Sequence, residues 1–197
     1  MSQTAVRRLR QMSAVPPSVT APNLLADGSD LIFRELIQNL LAMGVQLHRL
    51  RSRLAAELNM TSPQYGVFLA IAHLQGEQGI GASAVAQHLR VTAALVTNEV
   101  GALERSGLIT KRVNPTNRRG VLLSLTEAGI STLIEFSPAL QRINDSVFGQ
   151  LKRSEFQNLV DTVRQVVDAA DRTELLEQAH AVGGSQMPSK IQKIRKT

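Results

Sequence analysis

No cysteine occurs among the 197 residues. Disulfide bonds, thiol nucleophiles and cysteine-based redox sensing are thereby excluded, and a reducing compartment is the natural expectation. Aromatic residues are scarce, 3% against a hydrophobic content of 43%, so the chain can bury one domain-sized core and must build it from Leu, Val, Ile and Ala. No apolar run reaches 18 residues, and Arg7, Arg8 and Arg10 precede a polar segment broken by Pro16 and Pro17 where a secretory leader would place its apolar stretch. The expectation is a soluble, cytoplasmic protein with no membrane partner. His48, His73, His88 and His180 lack metal-ligand spacing, and no metal or other cofactor is expected. A Gly-rich phosphate loop, paired carboxylates in a convincing context and a nucleophile with its base are also missing, which speaks against an enzyme.

The most telling absence is local. Between Arg105 and Thr126 there is no acidic residue, while Arg105, Lys111, Arg112, Arg118 and Arg119 gather around an Asn114-Pro115-Thr116-Asn117 tip flanked by two apolar runs. This reads as a basic β-hairpin. Just before it, Val85 to Arg105 carries apolar residues at helical spacing and breaks at Arg90-Val91-Thr92, as two short helices joined by a tight turn would. Ala84, Val85, Ala86 and Leu89 mark the first helix. Thr92 caps the second, whose Leu95, Val96, Val100 and Leu103 face inward. Ala93, Ala94, Thr97, Asn98 and Gly101 are then left facing out or sideways, and Thr92, Ala93, Ala94, Thr97 and Asn98 are the expected DNA contacts of this helix. Small side chains there let a helix sit deep in a DNA major groove, where Ala or a Thr methyl meets a thymine methyl and Asn pairs with adenine. The fold class expected is mainly α with a small β-wing: a winged helix-turn-helix flanked by long dimerisation helices.

Charge and periodicity divide the rest. Of the net charge of +6, residues 1–26 hold +3 and residues 174–197 hold +2, so the high isoelectric point belongs mostly to the tails, and the body's positive face is the hairpin itself. Residues 1–26 and 174–197, interrupted by Pro16, Pro17 and Pro22 and by Gly183, Gly184 and Pro188, are expected to be flexible basic tails. Residues 27–60 form a dimerisation helix with Ile32, Leu36, Leu40, Met43, Leu47, Leu50 and Leu54 on one stripe. Residues 61–126 form the DNA-binding domain, entered by a helix from Pro63 to Leu74 with Thr61 or Ser62 as its cap. Residues 127–173 form C-terminal dimerisation helices, one kinked at Pro138 and the next started by a Ser154/Gln157 capping box ahead of a Phe156, Leu159, Val160, Val163, Val166, Val167, Ala170 stripe. Terminal helices of two copies would intertwine into a homodimer suited to a palindromic site.

From Pro63 to Gly129 the chain resembles bacterial MarR-type regulators, in the TSPQY entry, the VAQHLRVTAALVTNEVGALERSGLI helix-turn-helix and the RRGVLLSLTEAG run from wing to helix. The resemblance implies a winged-helix homodimer, triangular in outline, that binds a pseudo-palindromic operator in double-stranded DNA, often as a repressor, and is released by a small, commonly aromatic or phenolic acid. Carried over by position, the wing arginine is Arg119, which would enter the minor groove, with Arg118 close to phosphates. Asn117 stands where the family usually has aspartate, which gives up the charge-assisted part of the bond that orients that arginine. The family's effector cleft would draw on Leu47, His48, Arg51, Tyr65 and Phe68, with Arg51 and Tyr65 holding a carboxylate or phenol and Phe68 as an apolar wall. The other reading makes Tyr65 and Phe68 core residues and Arg51 a solvated cation. The alternative function is a winged-helix module that binds DNA non-specifically, or a protein partner, without responding to a ligand.

Overall fold

The computed structural model describes residues 16–115 and 120–184. The chain divides between Ala139 and Leu140 into two compact units. In order, the elements are α1 (Leu31–Glu57), α2 (Ser62–Leu74), β1 (Ile80–Gly81), α3 (Ala82–Leu89), α4 (Ala93–Arg105), β2 (Ile109–Val113), β3 (Val121–Leu125), α5 (Glu127–Phe148) and α6 (Arg153–Gly184), with a short 3-10 turn at Pro22–Leu24 before them.

Residues 16–26, expected as part of a flexible tail, are ordered, and Asp30 is the reason. The residue is 6% exposed, and its carboxylate accepts from the Ser18 backbone N–H at 2.6 Å, the Ser18 hydroxyl at 2.7 Å and Arg34 Nε at 2.9 Å. Arg34 Nη2 also donates to the Pro16 carbonyl at 2.9 Å. A carboxylate with this many donors is strongly favoured in its charged form, the Ser18 N–H contributing most, and its pKa falls to about 2. Residues 1–15 lie outside the described residues.

Helix α2 is capped by Thr61 rather than Ser62: the Thr61 hydroxyl accepts from Gln64 N and the Gln64 side chain accepts from Thr61 N, two orphan donors satisfied reciprocally. The helix is buried along its middle, from Tyr65 to Phe68 and at Ala70 and Ile71, and Val67, Phe68, Ala70 and Ile71 are the centre of the core. Val85 and Ala86 of α3, Val96, Val100 and Leu103 of α4, Ile109 of β2 and Leu123 of β3 complete it. Fully burying a side chain of this kind contributes about 1.5–3 kcal/mol, so α3, α4 and the β2–β3 hairpin are held by a nearly all-aliphatic centre with one phenylalanine.

The wing strands pair antiparallel from Ile109↔Leu125 to Val113↔Val121, and Asn114 N–H donates to the Gly120 carbonyl at 3.0 Å just past them. A third strand, unforeseen from sequence, joins on the other side: β1 pairs Ile80 with Leu123 and Gly81 with Leu122, giving the order β1-β3-β2. After β3, Thr126 ties three segments together. Its hydroxyl donates to the Gly107 carbonyl at 2.6 Å and accepts from Gly129 N–H at 3.0 Å, while its own N–H donates to Leu108 O at 3.0 Å. A Cβ at Gly129 would overlap that same Leu108 carbonyl oxygen, so α5 leaves the wing at a distance only glycine permits.

Helix α6 starts one residue before the expected cap. Lys152 N–H donates to the Glu155 carboxylate at 2.8 Å, so Glu155, not Gln157, reaches back over the first turn. The helix also continues past residue 173 to Gly184, and the expected tail beyond it, residues 185–197, lies outside the described residues.

Candidate nucleic-acid interface and effector cavity

The turn between α3 and α4 is built by Arg90, which adopts φ 53° at the end of α3. Its N–H donates to Gln87 O at 3.2 Å and the next, Val91 N–H, returns to Ala86 O at 3.0 Å, which closes the α3 carbonyls and redirects the chain. The Thr92 hydroxyl then accepts from Leu95 N at 3.3 Å and starts α4. Val96, Val100 and Leu103 are buried and Leu95 is half-buried, while Thr92, Ala93, Ala94, Thr97 and Asn98 are all exposed. The Thr97 hydroxyl donates to Ala93 O at 2.9 Å, so its hydrogen is spent on the helix and its methyl is left to offer a partner. The Asn98 amide lies one residue further along the same exposed surface. Such a face suits major-groove readout: small residues for close approach, one amide for an adenine edge.

The wing cations divide by role. Lys111 forms an ion pair with Glu104 at 2.6 Å, and Arg112 donates to the Gln78 carbonyl in the loop between α2 and β1. Both residues, expected to contact DNA, thus also brace β2 against α4 on one side and the α2–β1 loop on the other. The pair is partly exposed, 30% and 44%, so it orients more than it stabilises. Asn117, Arg118 and Arg119 lie outside the described residues.

The expected effector residues part company. Leu47 and His48 are exposed on α1, and Phe68 is 0% exposed in the winged-helix core. Arg51 and Tyr65 do come together, in a cavity of about 540 Å³ whose lining includes Gly66, Leu69, His73, His88 and Leu89. Tyr65 is 2% exposed, its ring meets Phe136 of α5 edge-on at 6.0 Å, and its hydroxyl has no hydrogen-bond partner. A buried polar group in that state costs about 1–3 kcal/mol. Burial pushes the phenol pKa above its ordinary value; the positive charge of Arg51 opposes this and Glu57 adds to it. Arg51 lies directly over Gly66, where any Cβ would overlap its guanidinium. Among the described residues no carboxylate forms an ion pair with Arg51. His73 and His88 were not expected here, because as metal ligands they have no useful spacing. The available signal was helical: Tyr65, Leu69 and His73 recur every four residues along α2.

No helix among the described residues is long and apolar enough to cross a membrane. The chain is similar to known DNA-binding proteins. The transcriptional regulator HosA of Escherichia coli O111:H- is 26% identical over 111 residues, covering 56% of this chain and 80% of HosA. A mutant MarR from E. coli, solved in complex with operator DNA, matches at 25% identity and a TM-score of 0.55 over 70% of this chain and 99% of that one. CouR from Rhodococcus jostii RHA1, solved bound to p-coumaroyl-CoA, matches at a TM-score of 0.62 over 70% of this chain and 95% of its own; at 17% identity that likeness is one of fold. HosA is named a transcriptional regulator, and members of the MarR family are regulators of transcription and not enzymes. Residues 58–120 match the MarR family, and with the exposed face of α4 and the paired wing strands they form the MarR-family domain of a DNA-binding transcriptional regulator.

Proposed function

We propose that the protein is a homodimeric repressor that binds a pseudo-palindromic operator and is released by a small acidic ligand. The observation that carries the DNA part is the exposed row Thr92, Ala93, Ala94, Thr97 and Asn98 on a helix whose other side is locked into the core. Dimerisation is supported by apolar side chains without cover. On α1, Ile32 is 65% and Leu41 61% exposed; on α6, Phe156, Leu159, Val160, Val163 and Val166 are exposed over successive turns. Contiguous apolar surface of this kind marks an interface, and a two-fold pair of α4 helices would read two half-sites about one helical turn apart. Release by a ligand is supported by the Arg51–Tyr65 cavity, which has room for a small molecule, and agrees with the p-coumaroyl-CoA seen on CouR.

The experiment is a footprint of the purified protein on the intergenic DNA upstream of its own gene, run beside a solution mass measurement. A dimer protecting one two-fold related segment, with protection relieved by an aromatic acid, is the expected result. A monomer, or protection without symmetry, refutes it. The second reading, a DNA-coating module, would show itself as protection that spreads evenly over any sequence.

A further inference from the structure

The cavity between α1, α2 and α3 carries polar groups in two sets. Arg51, from α1, and Tyr65, near the start of α2, make the first. His73, in the last turn of α2, and His88, in the last turn of α3, make the second, with ring centroids 6.2 Å apart and ring planes tilted by 35°. Tyr65 and His73 are two helical turns apart on one face of α2, about 12 Å at the backbone. The lining also includes the apolar side chains of Leu69, between them on that face, and of Leu89. The first set offers a guanidinium with no carboxylate partner among the described residues and a buried hydroxyl with nothing to bond. The second offers two imidazoles close enough to share one acceptor group.

We propose that this cavity is a two-point site for an apolar-bodied diacid: one acid group accepts from Arg51 and Tyr65, the other from His73 and His88. The inference rests on the ligand-released reading above and adds the class of the ligand. A guanidinium and a hydroxyl both donate, so a carboxylate satisfies both at once. The second acid group brings the control. His88 belongs to α3, the helix packed against α4, so a ligand held at both ends ties the DNA-reading pair to α2, whereas a monoacid leaves His88 untouched. Gly66 is the residue that admits Arg51 to the site, because any side chain there displaces the guanidinium.

The chain has one tyrosine and no tryptophan, so tyrosine emission reports Tyr65 alone. The full chain is titrated with suberate and with octanoate, a transparent diacid and monoacid of equal length, and the same solutions are added to its complex with upstream DNA. Suberate is expected to change Tyr65 emission with a Kd at least about tenfold below that of octanoate, which is about 1.4 kcal/mol, and to release the DNA. The His73→Ala/His88→Ala double variant should bind both acids alike. Gly66→Ala should weaken both by about tenfold or more and leave DNA affinity unchanged. Equal affinity in the wild type, a diacid preference that survives loss of both histidines, or no binding of either acid would overturn the proposal. A diacid preference in a protein that binds no upstream DNA would uphold the site and overturn the regulatory reading, so the two failures are distinguishable.

Discussion

Tyr65 combines a core position with a cavity position. Its burial and its contact with Phe136 make it part of the core, and its unpaired hydroxyl beside Arg51 is the donor that the proposed ligand would use. The two roles are compatible because a phenol can bury its ring and still present its oxygen. Burial raises its pKa, so the folded protein holds the phenolic proton more tightly than the unfolded chain. The stability tied to that proton is present below the unfolded pKa and lost as pH rises through the folded one. Tyrosinate absorbance of the folded protein is therefore expected to titrate above the value in denaturant, and coincident curves would contradict this. Asp30 has the opposite sign. Its pKa of about 2 lies below the ordinary aspartate value of 3.8, so its clasp on Ser18 and Arg34 is fully present above pH 4 and is lost as pH falls towards 2. Asp30→Asn should lose this acid dependence, and amide exchange at Ser18 should become fast in that variant at neutral pH. Continued protection of the Ser18 amide would show that the carboxylate does not hold the segment.

At the scale of elements, α4 and the wing are predicted to fail differently. Asn98→Ala should cost about 1–3 kcal/mol at one base position and little elsewhere. Arg119→Ala should weaken binding to all sequences and lower the salt slope by about one. Affinities for the operator and for single-base variants over a salt series check both; identical profiles for the two variants would mean the roles are misassigned. Elements with a strong local pattern were legible in the sequence: α1 from its three-four spacing, α4 from its Thr92 cap, the hairpin from its turn residues. Strand β1 was not, because two residues carry no periodicity and exist as a strand only through pairing with Leu122 and Leu123. The start of α6 was misplaced by two residues at its cap because Ser154 is a better capping residue by type than Lys152, whose backbone the Glu155 side chain captures. Its length was underestimated because Leu175 and Leu176, 65% and 60% exposed, fall outside the stripe that ends near Ala170. At the cavity, Arg51 and Tyr65 were legible as a cation and a phenol on neighbouring helices. The meeting of His73 with His88 is a product of the packing of α2 on α3, which no local pattern announces.

For the whole molecule, exposed apolar side chains on α1 and α6 make self-association the expected state. Val163, 43% exposed midway along the α6 stripe, is the position to test: Val163→Glu places a charge where a second copy would have to bury it. The variant should sediment as a monomer, keep the far-ultraviolet helix signal, and lose most operator affinity because one α4 can engage only one half-site. A dimer of unchanged stability would move the interface off this face.

The central claim is that α4 and the wing read a particular DNA sequence. The most direct test is competition between the upstream intergenic DNA and a scrambled fragment of equal length, at about 150 mM salt. The account predicts a preference for the upstream DNA of about 10³-fold or more. A ratio near one would contradict it and leave a protein that coats DNA without reading it.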